Sequence, residues 1–169
     1  MKKLIKRREI PAGNSVSDNA LLDRLYRSRH IKNSQELDRT LQSMLNPNQL
    51  HGIQHAVDLL VDAYQQQQKI VIVGDFDADG ATSTALSVLA LRMLGFTDVE
   101  YLVPNRFEQG YGLSVPVAEM AMEKGVQLLM TVDNGVSSFE GVAYLKEHGV
   151  KVLITCLLYT SPSPRDRTR

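Results

Sequence analysis

The clearest structural pattern in the chain lies in residues 69–88, KIVIVGDFDADGATSTALSV. It opens with a short run of β-branched residues that ends in Gly74 and Asp75, a pattern typical of a buried strand followed by a turn. The small residues after the turn predict a helix over about residues 81–94, which Gly95 ends. The sequence therefore predicts a strand, a turn and a helix in this order.

The same pattern repeats as far as residue 155. The predicted strands are VEYLVPN (99–105), VQLLMTVDN (126–134) and VKVLIT (150–155), and the predicted helices cover 114–125 and 137–149. Continuous apolar strands that alternate with helices of about 10–15 residues indicate a parallel sheet covered on both faces. We therefore predict an α/β fold with a doubly wound, mainly parallel sheet for residues 69–155.

The two flanking segments have different patterns. Residues 1–68 are predicted to form an α-helical N-terminal lead-in. Its helices are expected to begin at Asp18 or Asn19 and at Ser34, with an amphipathic helix before the first strand. Residues 156–169, CLLYTSPSPRDRTR, are rich in Pro, Ser and Arg, a composition that does not form a packed element. We predict a disordered tail there that is not native to the domain.

Composition and charge narrow the class of protein. The chain has 169 residues, 43% of them hydrophobic, and no apolar run of the roughly 18 residues that a membrane span needs, so no membrane partner is expected. A single cysteine argues against a disulfide framework and fits a reducing cytoplasm, and the basic N-terminus lacks the apolar stretch of a secretory signal. Because the formal net charge is zero, a nucleic-acid partner would have to bind to a local patch.

Three aspartates, Asp75, Asp77 and Asp79, crowd the turn after the first strand. A fourth, Asp133, lies at the end of the third predicted strand, and ligands bind at the carboxyl ends of strands in such sheets. Like charges this close repel one another unless a cation compensates them. Mg²⁺ and Mn²⁺ take carboxylate oxygens, and two such ions can clamp a phosphoryl displacement and activate water. One interpretation is therefore a binuclear-metal phosphoesterase.

Three other interpretations compete for this acidic turn. Aspartates are favoured helix caps, so the cluster could be structural. The three aspartates and Gly80 match the first, third, fifth and sixth positions of a calcium-binding EF-hand loop, but Leu86 stands in place of its last glutamate. Residues 77–80 resemble the DxDGT motif of haloacid-dehalogenase phosphatases, with Ala81 in place of the threonine. The chain contains neither GxxxxGK[ST] nor GxGxxG, so nucleotide-dependent classes lose support.

Three motifs carry a closer resemblance: VIVGDFDADGATSTALSVLALRMLG (71–95), YLVPNRFEQGYGLS (101–114) and TVDNGVSS (131–138). In this order and spacing they resemble the RecJ-type single-strand-specific exonucleases of the DHH phosphoesterase family, and the resemblance covers nearly all of residues 1–155. It implies an enzyme that degrades single-stranded DNA from the 5′ end in DNA repair and recombination. It also implies two divalent metal ions, Mn²⁺ or Mg²⁺. The further expectations are a cytoplasmic location and a monomer.

The resemblance assigns roles to individual residues. The implied catalytic residues, which also bind the metals, are Asp75, Asp77, Asp79 and Asp133. The first three correspond to the family's first acidic motif, and the fourth corresponds to its third motif.

The second motif is implied to bind substrate through Asn105 and Arg106. A guanidinium group can bind a phosphate through its planar fork, although an ion pair with Glu108 would also explain Arg106. Asn105 could simply close a turn. Phe107 and Tyr111 could offer a stacking surface to a base, and a core position is the alternative for Phe107.

The resemblance ends after residue 155. The family continues there with Asp-His-His, which supplies further metal ligands, whereas this chain has Cys156, Leu157 and Leu158. The tail resembles a translated sequencing adapter; a frameshift or a divergent terminus is the alternative. We expect an N-terminal fragment with an incomplete catalytic domain and little or no nuclease activity of its own. A DHH phosphoesterase for small nucleotides or oligonucleotides, and a metal-binding fragment without catalysis, are the alternative functions.

Overall fold

The computed structural model describes residues 9–155. Contacts divide the chain into two compact units, one that ends at Leu50 and one that begins at His51. The predicted tail at residues 156–169 lies outside the described residues, as do the first eight residues of the predicted lead-in.

The unit that ends at Leu50 contains α1 (Ala20–Arg27) and three single turns of 3₁₀-helix. Asn19 caps α1, because its side-chain oxygen accepts hydrogen bonds from two backbone N–H groups in the first turn of the helix. The predicted start of this helix is therefore confirmed. The helix predicted from Ser34 is only one 3₁₀ turn, Ser34–Leu37. The chain beyond it buries no apolar face, since Leu41, Met44 and Leu45 are all exposed.

The second unit alternates helices and strands in the predicted order. Along the chain it consists of α2 (Ile53–Gln65), β1 (Ile70–Val73), α3 (Ala78–Met93), β2 (Val99–Leu102), α4 (Arg106–Gln109), α5 (Val115–Glu123), β3 (Leu128–Val132), α6 (Phe139–Glu147) and β4 (Lys151–Thr155). Every strand and helix predicted for residues 69–155 is present, with its bounds shifted by a few residues. The short α4 was not predicted. In the described part of the chain, no helix has the length and apolar character that crossing a bilayer requires.

The four strands form one parallel sheet in the order β2-β1-β3-β4. β1 lies inside the sheet, with Val73 opposite Leu102 of β2 and Thr131 of β3. All four residues of β1 are fully buried, because neighbouring strands cover both edges and helices cover both faces. The predicted α/β fold with a mainly parallel sheet is confirmed.

Two apolar clusters lie on opposite faces of this sheet. Successive side chains of a strand point to opposite faces, so Val71 and Val73 belong to one cluster and Ile70 and Ile72 to the other. The first cluster contains buried residues of α5 and α6, and the second contains buried residues of α2 and α3. The sheet is therefore covered on both faces, which is the doubly wound arrangement predicted for it.

The second unit begins earlier than the change in sequence pattern at residues 68 and 69. α2 accounts for the difference, because its Ala63 is fully buried in the cluster that also contains residues of β1 and α3. The Lys151 ammonium of β4 also donates a hydrogen bond of 3.4 Å to Asp62 of α2. Packing therefore groups α2 with the sheet, although its sequence resembles that of the polar helical segment before it.

Ion pairs lie at the amino edge of the sheet. Lys69, directly before β1, forms ion pairs with Asp98, at 3.6 Å, and with Glu100. Glu100 forms a second ion pair, with Lys124 at 2.9 Å. The hydrogen bonds from Lys69 and then Lys124 lower the pKa of Glu100 to about 2. The hydrogen bond with Glu100 in turn raises the pKa of Lys69. Because these side chains are partly solvated, the contribution of the pairs to stability is modest.

Candidate functional site

Polar residues follow three adjacent strands at one edge of the sheet. Asp75 comes shortly after β1, Asn105 after β2, and Asp133 directly after β3. β1 lies between β2 and β3 and all three strands are parallel, so these loops leave the sheet side by side. The structure therefore places the predicted residues Asp75 and Asp133 at the ends of neighbouring strands.

The turn between β1 and α3 uses its aspartates in different ways. Asp77 is the N-cap of α3, and its Oδ1 accepts a hydrogen bond of 2.9 Å from the Gly80 N–H. Asp75 is buried, and its Oδ1 accepts a 2.8 Å hydrogen bond from the Phe76 N–H. Asp79 is exposed in the first turn of α3, where the helix dipole favours a negative charge. Helix capping thus explains Asp77 locally, but it leaves the burial of Asp75 unexplained.

Two glycines let this turn pack closely against α3. A Cβ atom at Gly80 would collide with the backbone carbonyl group of Asp75, and one at Gly74 would collide with the Thr84 hydroxyl. The Thr84 hydroxyl is buried and donates a 2.7 Å hydrogen bond to the Gly80 carbonyl. Thr84 thus helps to hold the acidic turn, a role that the sequence analysis did not assign. Thr84 lies one helical turn after Gly80, and this spacing was the sequence feature that could have indicated the contact.

Asp133 has an unusual backbone conformation. Its φ of 62° lies in the left-handed region, which costs a residue other than glycine about 1–2 kcal/mol. Gly135, with φ of 108°, follows in the same turn, and a Cβ there would lie 2.6 Å from the Thr131 hydroxyl oxygen. The turn after β3 is therefore tightly constrained around the predicted metal ligand.

Asn134, next to Asp133, is almost completely buried. Its side-chain Nδ2 donates a hydrogen bond of 2.9 Å to the Val132 carbonyl and a longer one, 3.4 Å, to the Val73 carbonyl of β1. Its Oδ1 is buried and has no hydrogen-bond partner among the described residues, which costs about 1–3 kcal/mol. Asn134 is not among the predicted site residues, since its only sequence signal is its place after Asp133.

The second motif forms a short turn of helix. Asn105 caps α4, since its Oδ1 accepts a 3.1 Å hydrogen bond from the Phe107 N–H, and its own N–H donates to Gln109 at 2.8 Å. Asn105 therefore closes a turn, as one of its two interpretations predicted. The Phe107 side chain is 98% exposed, so the core position considered for it is wrong. The substrate role and the alternative ion pair of the Arg106 side chain lie outside what the structure describes.

The four acids supply the hard oxygen donors that Mn²⁺ and Mg²⁺ take. Within residues 9–155, however, no three side chains of His, Cys, Asp or Glu are arranged so that they could hold a metal ion. The Asp77 carboxylate caps a helix, and the Asp75 carboxylate bonds to its own loop. The type of donor and the position at the carboxyl edge therefore fit a divalent cation, and the ligand roles stay predictions.

Comparison with known families adds independent information. The family described as "DHH family, N-terminal domain" matches residues 69–155, just over half of the chain. Single-stranded-DNA-specific exonuclease RecJ of Haemophilus influenzae is 83% identical over 155 residues, which make up 92% of this chain and 27% of that protein. The Escherichia coli protein of the same name is 53% identical over 135 residues, covering 80% of this chain and 23% of its own length. The chain thus spans about a quarter of the length of these relatives.

Two solved structures are similar to this chain in fold. Exonuclease RecJ bound to manganese has a TM-score of 0.60 and 37% identity, with 67% of this chain and 29% of that chain covered. RecJ from Thermus thermophilus in complex with Mn²⁺ has a TM-score of 0.58 and 32% identity, with 82% of this chain and 19% of that chain covered. Because the family model matches more than half of its residues, the chain belongs to the DHH family.

Proposed function

We propose that this chain carries part of the catalytic domain of an exonuclease that hydrolyses single-stranded DNA from its 5′ end. The observation that carries the proposal is the placement of Asp75 and Asp133 at the carboxyl ends of two hydrogen-bonded strands. Relatives that are 83% and 53% identical are named as single-stranded-DNA-specific exonucleases, which supports this choice of substrate.

The proposed cofactor is a pair of divalent ions, Mn²⁺ or Mg²⁺, held by Asp75, Asp77, Asp79 and Asp133. Such ions, when bound, neutralise the phosphate charge and activate a water molecule. The protein's own contribution is to hold carboxylate oxygens at fixed positions, through the contact between Gly80 and Asp75 and the constrained turn at Asp133. Two solved relatives are described as bound to manganese, which supports Mn²⁺ as the first ion to test.

Substrate binding is proposed for the loop that follows β2. Asn105 and Arg106 would bind the phosphodiester backbone, where a guanidinium fork provides two parallel donors. Phe107, whose ring is almost fully exposed at the same edge, offers a face on which a nucleobase can stack. Exposing such a ring to water is unfavourable, so a stacking partner is a physical reason for its position.

Metal binding and hydrolysis of DNA are expected to require different parts of the site, and this chain has only some of them. The family motif would place Asp-His-His at residues 156–158, where this sequence has Cys-Leu-Leu. We therefore expect the carboxylates to bind Mn²⁺ while single-stranded DNA is hydrolysed slowly or not at all.

Calorimetric titration with Mn²⁺ tests the proposed site. Asp133→Asn is the sharpest variant, because asparagine tolerates the left-handed backbone and removes only the charge. We expect Mn²⁺ to bind at least about tenfold more weakly to this variant. Asp58→Asn on the exposed face of α2 is the matched control, since it removes the same charge from a helix that carries none of the proposed ligands.

Two results would contradict the proposed site. One is the absence of Mn²⁺ binding by the parent chain, and the other is equal affinity of the parent and Asp133→Asn. An assay with 5′-labelled single strands and with cyclic dinucleotides runs in parallel. Hydrolysis of the cyclic dinucleotides alone would favour a phosphoesterase for small substrates.

A further inference from the structure

The distance between Asp75 and Asp133 depends on how the ends of β1 and β3 are held together. The register of the sheet pairs Val73 with Thr131, and both acids lie beyond this pair. A loop that continues beyond the last hydrogen-bonded pair of two strands keeps its position only where other hydrogen bonds hold it. The side chain of Asn134 provides such a bond, since it reaches the Val73 carbonyl, 61 residues away in the sequence.

The orientation of the Asn134 amide follows from its neighbours. Its two hydrogen-bond partners, Val73 and Val132, both offer carbonyl oxygens, so only the NH₂ group can face them. Oδ1 must then point elsewhere, and it lies 3.9 Å from the position that a Cβ would take at Gly112. A buried acceptor without a partner among the described residues does not favour folding, so stability alone does not explain an asparagine here.

The backbone around Asn134 is held as firmly as its side chain. Its carbonyl accepts a 2.8 Å hydrogen bond from the Thr131 hydroxyl, and the Thr131 carbonyl accepts one of the same length from the Thr155 hydroxyl at the end of β4. The turn that carries Asp133 is thus bound to Thr131 of β3, and Thr131 is bound to β4. The Asn134 side chain adds a hydrogen bond from this turn to β1.

We propose that Asn134 is a positioning residue, which sets the spacing between the Asp75 and Asp133 carboxylates by tying the end of β3 to the end of β1. The identity of the cation that these carboxylates receive rests on the proposed function. The hydrogen bond between Asn134 and Val73 is present in the protein without metal, so its effect can be measured separately.

The test compares Asn134→Leu with the parent chain. Leucine has a similar size but donates no hydrogen bond, so it removes the tie and the unpartnered acceptor together. Val126→Ala is the matched control, because Val126 is a buried core residue that precedes β3 at the opposite end of the strand. This control lowers the melting temperature without touching the carboxyl edge.

Two measurements separate positioning from a general loss of stability. In metal-free protein, we expect hydrogen exchange to become faster for backbone amides of residues 74–80 and 133–136 in Asn134→Leu, and to stay unchanged there in Val126→Ala. In calorimetry, we expect Mn²⁺ to bind about 10- to 100-fold more weakly to Asn134→Leu, and with the parent's affinity to Val126→Ala.

Each result decides the proposal. Unchanged hydrogen exchange of residues 74–80 in Asn134→Leu would show that the Asn134 side chain does not hold the ends of β1 and β3 together. An Mn²⁺ affinity equal to that of the parent would show that this contact does not position the metal ligands. Either result overturns the proposal. A fall in melting temperature with neither effect is a merely structural role and overturns it as well. If the parent binds no Mn²⁺, the proposed function fails, and hydrogen exchange alone decides whether Asn134 ties the strands.

Discussion

Replacing Gly80 with alanine puts a methyl group against the backbone of Asp75. The added Cβ would lie 2.7 Å from both the Cα and the carbonyl carbon of Asp75, and closer still to the carbonyl oxygen. These are backbone atoms of a buried residue, so they cannot swing aside as the end of a long side chain can. The clash must therefore shift the acidic turn relative to α3.

The expected magnitude is a difference between two opposing effects. Alanine is about 1 kcal/mol better than glycine inside a helix, and φ of Gly80 is not in the positive range, so the backbone itself accepts alanine. Overpacking at a tight contact costs about 1–3 kcal/mol. Because the contact is with backbone, we expect the upper part of this range and a net loss of about 1–2 kcal/mol. For a chain of this size, that lowers the melting temperature by about 2–8 °C.

Urea unfolding followed by circular dichroism measures the change in the free energy of unfolding. Ala81→Gly, at an exposed position in the same helical turn, measures the propensity effect by itself and should lose about 1 kcal/mol. If Gly80→Ala were instead as stable as the parent or more stable, the close contact with Asp75 would not limit this position. The reasoning about the rigid acidic turn would then be wrong.

Two further predictions concern the ion pairs of Glu100 and the predicted metal site. Because the folded-state pKa of Glu100 is lowered to about 2 from 4.5, its ion pairs stabilise the fold above about pH 4.5 and lose this effect as the pH falls towards 2. The urea midpoint of the parent should therefore fall more steeply over this range than that of Glu100→Gln, and parallel curves would contradict the assignment. The second prediction concerns residues 156–158, where the combined variant Cys156→Asp, Leu157→His, Leu158→His introduces the Asp-His-His that the sequence resemblance implies. It should bind Mn²⁺ at least about tenfold more tightly than the parent in calorimetry, whereas equal affinity would remove these positions from the proposed site.

The sheet was predictable from sequence because its strands carry their own pattern. The run IVIV at residues 70–73 is β-branched throughout, and such a run fits a strand buried on both faces. Glycines and caps marked most helix ends, so the predicted elements match the observed ones. The placement of Asp75 and Asp133 at one edge followed from parallel topology alone.

Other parts of the site depend on contacts that no local pattern encodes. The bond from Asn134 to Val73 joins residues that are far apart in sequence, and it forms only when β1 and β3 are neighbours. The left-handed conformation of Asp133 is likewise imposed by its surroundings, since aspartate alone does not require it. The exposure of Phe107 depends on the short helix α4, whose four residues are too few to show a period.

The position of β1 inside the sheet also has a consequence for biosynthesis. β1 leaves the ribosome before either of its neighbours, and β3 follows it only after more than fifty further residues. Until β3 emerges, the edge of these four β-branched residues that pairs with β3 has no partner strand and can pair with other chains. Lys69 precedes this run and Asp75, Asp77 and Asp79 follow it, which places charges on both of its flanks. Charges beside an apolar strand oppose aggregation, and the acidic turn supplies three of them whether or not a cation is bound.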